Sequence, residues 1–263
     1  MRLATVSYIG DEEDIIETFV RHHAACVDRM VIVCTARERK TPAILEQLRK
    51  EGLPLEISYH TPLFHDQAEV LTRVLHGIHT RLKPQWILPL DADEFLHGDA
   101  HAAFKLLPRD HVSLLPWRTY VPLPGDDRQE ANPLRRIRHR REKEEPQLYK
   151  VLIPSTMMHE DSALGAGSHE LLWSGVPCRG IPTTCLFLAH FPVRSLAQIK
   201  RKVEEGWKKI QANPRRGEEE GYHWGTIAEY FSDGQEKSQE DLTEIARSYS
   251  SPTLSSLVFD PVC

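Results

Sequence analysis

Over its first hundred residues the chain alternates short apolar runs with longer amphipathic ones, and that rhythm leaves few folds open. Residues 3–8, 30–34, 55–59 and 86–90 are runs of strand length, too short for typical helices. The segments between them carry helical spacing. In 11–25, acidic residues lead and Ile15, Ile16, Phe19 and Val20 share one face. Residues 41–51 begin with Thr41 as N-cap and Pro42 at the first helical position, and stop at Gly52. Residues 66–82 form a long amphipathic helix. Strands joined through helices pair in parallel, so the pattern predicts an α/β, Rossmann-type, mostly parallel sheet with helices on both faces. Ligands of such sheets gather at the carboxyl ends of the strands.

The fourth run ends in chemistry. Trp86-Ile-Leu-Pro-Leu90 passes directly into Asp91-Ala92-Asp93-Glu94, three carboxylates within four positions. Burying such a cluster is unfavourable unless a cation or several donors compensate it. Residues two apart in extended chain share a side, though a bend at Ala92 would redirect both. Hard oxygen ligands suit Mg²⁺ or Mn²⁺, and the expectation is a divalent metal at Asp91 and Asp93. The plainer alternative is a solvated acidic turn with no metal.

Beyond residue 108 the alternation loosens. Strands are expected at 111–116, 148–153 and 186–191, and then a helix carrying Arg194, Gln198, Lys200, Arg201 and Lys202, with Trp207 on its inner face. Between the first two strands lies a basic segment from Arg135 to Lys143, readable as a solvated loop or as a contact for an anionic substrate or membrane surface. Residues 209–240 are polar, interrupted by Tyr222-His223-Trp224-Gly225, expected to anchor an appended helical piece; the last residues read as a tail. The net charge of −5 points away from nucleic acid as a partner. The five cysteines are widely spaced and form no CxxC pair, so neither a disulfide framework nor a structural zinc site is indicated. With no apolar stretch of spanning length and no signal-like start, a reducing cytoplasm is the expectation, with peripheral membrane association left open. No GxxxxGK[ST] loop occurs, which argues against a P-loop NTPase.

Several segments then fall in a telling order: Asp11-Glu-Glu-Asp-Ile-Ile-Glu-Thr-Phe-Val-Arg21-His22-His23, Gln67, Asp91-Ala-Asp93-Glu94-Phe95, Lys150-Val-Leu-Ile-Pro154, Gly167-Ser-His169-Glu170, and His190-Phe-Pro-Val-Arg194-Ser195-Leu-Ala-Gln198-Ile-Lys200. Together, across about residues 3–205, they resemble a bacterial branch of the family 2-like glycosyltransferases of GT-A fold. The resemblance implies a catalytic domain over 1–205, with a nucleotide-binding half (1–107) and an acceptor-side half (108–205), and a helical extension over 206–263. It implies a nucleotide-diphosphate-sugar donor, a Mn²⁺ or Mg²⁺ ion, and transfer to a hydroxyl of a glycan or lipid-linked acceptor, with inversion. On that likeness Asp91, Asp93 and His190 hold the metal, while Asp91, Arg194, Lys200, Asp11 and Gln67 serve the donor. Two segments depart from the pattern: Gly10-Asp11-Glu12-Glu13 stands where relatives carry Asn-Glu, and Cys34 to Lys40 replaces an Asp-rich turn that helps hold the base. A catalytically inactive nucleotide-sugar-binding protein and a nucleotidyltransferase-type enzyme are the alternatives.

Sugar transfer also needs a base for the acceptor proton. Glu170 and His169 follow the Gly-rich stretch Gly165-Ala-Gly167-Ser and are the candidates, with Asp161 and Glu160 behind them. The imidazole at 169 could instead bond a sugar hydroxyl or a metal. His22 and His23 are expected as partly buried, hydrogen-bonded rings, and Glu94 as support for the metal shell or as the partner of a backbone donor. Trp117 and Trp173 are candidates for a sugar platform or for core.

Overall fold

In the computed structural model, which describes residues 1–214 and 221–262, the early runs become strands β1 (Leu3–Ile9), β2 (Arg29–Cys34), β3 (Leu55–Tyr59) and β4 (Trp86–Pro89). Helices α1 (Ile16–His23), α2 (Lys40–Lys50) and α3 (Gln67–Leu82) separate them. There follow β5 (Glu94–His97), α4 (Ala100–Leu106), β6 (Val112–Val121), the one-turn α5 (Pro133–Arg136), β7 (His139–Arg141) and β8 (Tyr149–Pro154). Five short strands come next: β9 (Ser162–Leu164), β10 (Leu171–Trp173), β11 (Val176–Pro177), β12 (Gly180–Pro182) and β13 (Phe187–His190). The chain then runs through α6 (Leu196–Gln211), α7 (Tyr222–Ser232), α8 (Gln239–Ser248) and β14 (Leu257–Phe259).

The contacts divide the chain into two units. The first comprises Met1–Thr61, Gln67–Trp117 and Leu148–Ala189. Its sheet runs β3-β2-β1-β4-β8-β6, with β1 through β4 parallel and β8 antiparallel to both β4 and β6. The strand order reverses beside β1, whose neighbours are β2 and β4. Alternation along the strands sends Ala4, Val6, Val31 and Ile87 to one face, where Leu71, Leu75 and Ile78 of α3 cover them. This is the α/β sheet with flanking helices that the alternation predicts. Helix α1 is shorter than the expected 11–25, because Asp11 is drawn into a loop. Thr41 is not the N-cap of α2 but a buried residue within it, whose Oγ1 accepts from the Glu12 amide at 3.0 Å.

The second unit comprises Pro62–Asp66, Arg118–Gln147 and His190–Cys263. The boundary expected at 205 falls inside α6. Val193, Ile199, Val203, Ile227, Leu242 and Ile245 make its core. The anchoring role expected of the aromatic island holds for Trp224. A Cβ on Gly206 of α6 would lie 2.4 Å from the Trp224 ring, and one on Gly225 of α7 would lie 3.0 Å from Trp207, so each tryptophan needs the other helix's glycine. Residues 215–220 and Cys263 lie outside the described residues, so part of the polar 209–240 stretch and the tail's last cysteine do too.

Two expectations are corrected here. The tail contains β14, antiparallel to β7 with Leu257 opposite Arg141 and Phe259 opposite His139. The basic segment is not a solvated loop at Arg140 and Arg141. Arg141 is 3% exposed and donates to the carbonyls of Ala246 (2.8 Å) and Tyr249 (2.7 Å) and to Glu144 (3.1 Å), closing the carboxyl end of α8. Arg140 pairs with Asp260 at 2.6 Å. Among the described residues no helix is long and apolar enough to cross a membrane.

Candidate functional site

β4 delivers its carboxylates at the carboxyl end of the sheet, beside β1, where the strand order reverses. The chain bends at Ala92 instead of staying extended. The Glu94 amide donates to the Asp91 carbonyl (3.1 Å), and the Asp91 amide donates to Glu94 Oε2 (2.9 Å), so Glu94 closes the turn it belongs to.

The cation beside these carboxylates comes from the protein. β8 pairs antiparallel with β4, Trp86 opposite Pro154 and Ile87 opposite Ile153, and that register continued brings Lys150 level with Leu90. Lys150 is 0% exposed; its Nζ donates to Asp91 Oδ2 (2.6 Å) and to the Gly167 carbonyl (2.7 Å), and lies 3.4 Å from Glu94 Oε2. Gln67, the first residue of α3, donates to Asp91 Oδ1 at 3.0 Å. Burial lowers the Lys150 pKa, but Asp91 and Glu94 more than offset it, and the ammonium stays charged above its ordinary range. Burial pushes Glu94 well above the usual carboxylate range, against the pull of Lys150 and with the charges of Asp91 and Asp93 adding to it. Lys150 lies between the two carboxylates, closer to Asp91 (2.6 Å) than to Glu94 (3.4 Å).

This arrangement does not fit a metal on Asp91. Both carboxylate oxygens accept from protein donors, one of them an ammonium. Unit charges at 4 Å and an effective dielectric of 20 interact by about 4 kcal/mol, so an ion binding this carboxylate would have to do so against the Lys150 ammonium already held there. Among the described residues, no three His, Cys, Asp or Glu side chains gather as a ligand set.

The second half of the site is the turn at 165–169. Gly167 (φ 62°) and Ser168 (φ 56°) are successive left-handed residues, and a Cβ on Gly167 would lie 2.6 Å from His169 Nε2. His169 Nδ1 donates to the Tyr149 carbonyl at 2.6 Å, which makes Nε2 the lone-pair nitrogen. Burial first, and the Lys150 charge second, hold the His169 pKa below its ordinary value, so the ring is neutral. Trp117 meets it edge-on at 5.2 Å. Glu170 is exposed, with its carbonyl accepting from the Gly165 amide at 3.0 Å.

The structure thus brings together Asp91, Gln67 and His169, with Glu170 adjacent in the chain. Asp11, expected at the donor, accepts from the amides of Arg37 (3.3 Å) and Glu38 (2.8 Å), fastening the altered 34–40 turn. Asp93 is 2% exposed in the first unit. His190, Arg194 and Lys200 belong to the second unit. There His190 is buried with its ring 6.2 Å from Tyr249, and buried Arg194 donates from Nη1 to the Phe191 carbonyl (3.0 Å). Lys200 is exposed on α6. Trp173 is half-exposed and stacked on His159. Sequence reasoning quoted Lys150 within a motif but gave it no role. The signal was there: a lysine opening the apolar run Val-Leu-Ile needs a counter-charge, and Asp91 ends the other such run.

No family model matches the chain, and no curated protein matches it. Among solved structures, a glycosyltransferase from Streptococcus pneumoniae is 18% identical over 44% of this chain and 30% of its own, with a TM-score of 0.28. A mannosyltransferase from Pyrobaculum calidifontis, in complex with GDP-Man and Mn²⁺, is 12% identical over 93% of this chain and 68% of its own, TM-score 0.42. An inositol-1-phosphate CTP transferase from T. maritima is 11% identical over 82% and 98%, TM-score 0.36. The chain spans less than a third of the length of the S. pneumoniae enzyme.

Proposed function

We propose that this chain is a transferase that moves a sugar from a nucleotide-diphosphate donor to a hydroxyl of a glycan or lipid-linked acceptor. The observation that carries the reading is the placement of the Asp91–Lys150–His169 constellation at the carboxyl ends of parallel strands, where their order reverses and open α/β sheets take nucleotides. The ordered motifs from Asp11 to Lys200 support the sugar donor in particular.

The roles follow from the two side chains at the turn. Glu170, an exposed carboxylate, takes the acceptor hydroxyl proton as the new C–O bond forms at the anomeric carbon. The bond to the diphosphate breaks in the same step, and the leaving phosphate carries away the electron pair, inverting the centre. His169, neutral and δ-protonated, accepts a sugar hydroxyl at Nε2 and aligns it. A metal on Asp91 is given no step, since the residues there do not fit one.

The test is release of nucleoside diphosphate from UDP- and GDP-sugars by the purified protein, with acceptor glycans present. Glu170→Gln is expected to lower kcat by about 10²-fold or more with donor KM within a few-fold. Donor binding without turnover would make the chain a binding protein. Pyrophosphate released from a nucleoside triphosphate and a sugar 1-phosphate would make it a nucleotidyltransferase.

A further inference from the structure

Two residues of β8 grip the 165–169 turn at two points. The Tyr149 carbonyl holds His169 Nδ1 at 2.6 Å, and the Lys150 ammonium holds the Gly167 carbonyl at 2.7 Å. The same ammonium reaches back to β4 through Asp91 Oδ2 at 2.6 Å. Lys150 is fully buried, so it does not touch a substrate. The turn it holds contains a non-glycine residue in left-handed backbone, Ser168, a conformation that persists only where its surroundings over-determine it. Asp91 gives one oxygen to Lys150 and the other to Gln67, and Glu94 lies 3.4 Å from the same ammonium.

We propose that Lys150 is a positioning residue that fastens the end of β4 to the Gly167–His169 turn and so fixes His169 Nε2, with Asp91 serving as its counter-ion and not as a metal ligand. The inference rests on the transferase reading for what the held imidazole does, yet neither measurement below uses a sugar donor, so the two can fail separately.

Mn²⁺ alone is titrated into the full chain and into Asp91→Asn, with unbound ion read by electron paramagnetic resonance. The affinities are expected to agree within about twofold; a loss of tenfold or more in Asp91→Asn would overturn the counter-ion assignment. The His169 ring is then followed by NMR against pH in the histidine-labelled chain. The charged groups acting on this ring are Lys150 and Asp91. Lys150→Met removes the positive neighbour, and the His169 midpoint is expected to move to higher pH. Asp91→Asn removes the negative neighbour, and the midpoint is expected to move to lower pH. A lysine that only fills space would let both variants loosen the ring toward its ordinary value, upward in each case, and that result would overturn the proposal. Should Lys150→Met fail to fold, the direction in Asp91→Asn decides alone.

Discussion

Acid should weaken the first unit through one imidazole. His23 is 0% exposed, and both its nitrogens are committed to the neutral form: Nδ1 donates to the Phe19 carbonyl (2.9 Å) and Nε2 accepts from the Leu96 amide (3.2 Å). A second ring proton would face that amide. The ring also lies near-parallel to Phe95 (5.8 Å between centroids) and meets His22 edge-on at 4.9 Å. Burial, then the neighbouring His22, push its pKa down from the ordinary 6.5 to about 3. The unfolded chain therefore takes up this proton near pH 6.5 while the folded chain does not. The stabilisation is complete above pH 6.5 and drains away as pH falls toward 3, at about 1.4 kcal/mol per pH unit. Between pH 6.5 and pH 5 the loss is about 2 kcal/mol, and His22, also lowered by burial, acts in the same direction. Urea midpoints at pH 7, 6 and 5 measure it in the native chain and in His23→Phe, which starts less stable but cannot titrate at this position. The native chain should lose about 1.4 kcal/mol more per pH unit than the variant below pH 6. Equal slopes would refute the reasoning.

Gly206→Ala should destabilise the second unit by about 1–3 kcal/mol in thermal melts, because the new methyl meets the Trp224 ring and overpacking outweighs the gain in helix propensity. Arg141→Met should lose about 3 kcal/mol or more in denaturant titrations, since it strips the donors from the Ala246 and Tyr249 carbonyls and the cation from half-buried Glu144. Asp11→Ala should lose about 1 kcal/mol, as a helix-cap deletion does, and speed amide exchange at Arg37 and Glu38; unchanged exchange there would remove Asp11 from its role in the turn.

The sheet was readable in advance because each of its first four strands is an apolar run of the right length, and helical spacing between such runs admits little but parallel pairing. What escaped the reading depends on partners distant in sequence. Arg141 sits in a run of like charges that suggests solvent, and only the return of α8 beside it shows why it is buried. Leu257-Val-Phe259 is too short to announce a strand until β7 is there to receive it. Resemblance alone puts Asp11 at the donor; its hold on the Arg37 and Glu38 amides depends on a loop that follows another strand. At the site, the bend at Ala92 and the pairing of Asp91 were open questions in the sequence. The protein answers the first with Glu94, which closes the turn, and the second with Lys150, whose charge could be matched to Asp91 only once β8 was known to lie against β4.

The pairing of β14 with β7 also bears on how the protein is made. More than a hundred residues separate Arg141 from its opposite number Leu257, and the Tyr120 hydroxyl likewise donates to the carbonyl of Asp260. On the ribosome, the exposed edge of β7 must therefore wait for almost the whole of the second unit to be synthesised before its closing strand emerges. Through that interval its run of arginines keeps a nascent edge soluble and unattractive to other strands, the service that charge performs at sheet margins generally.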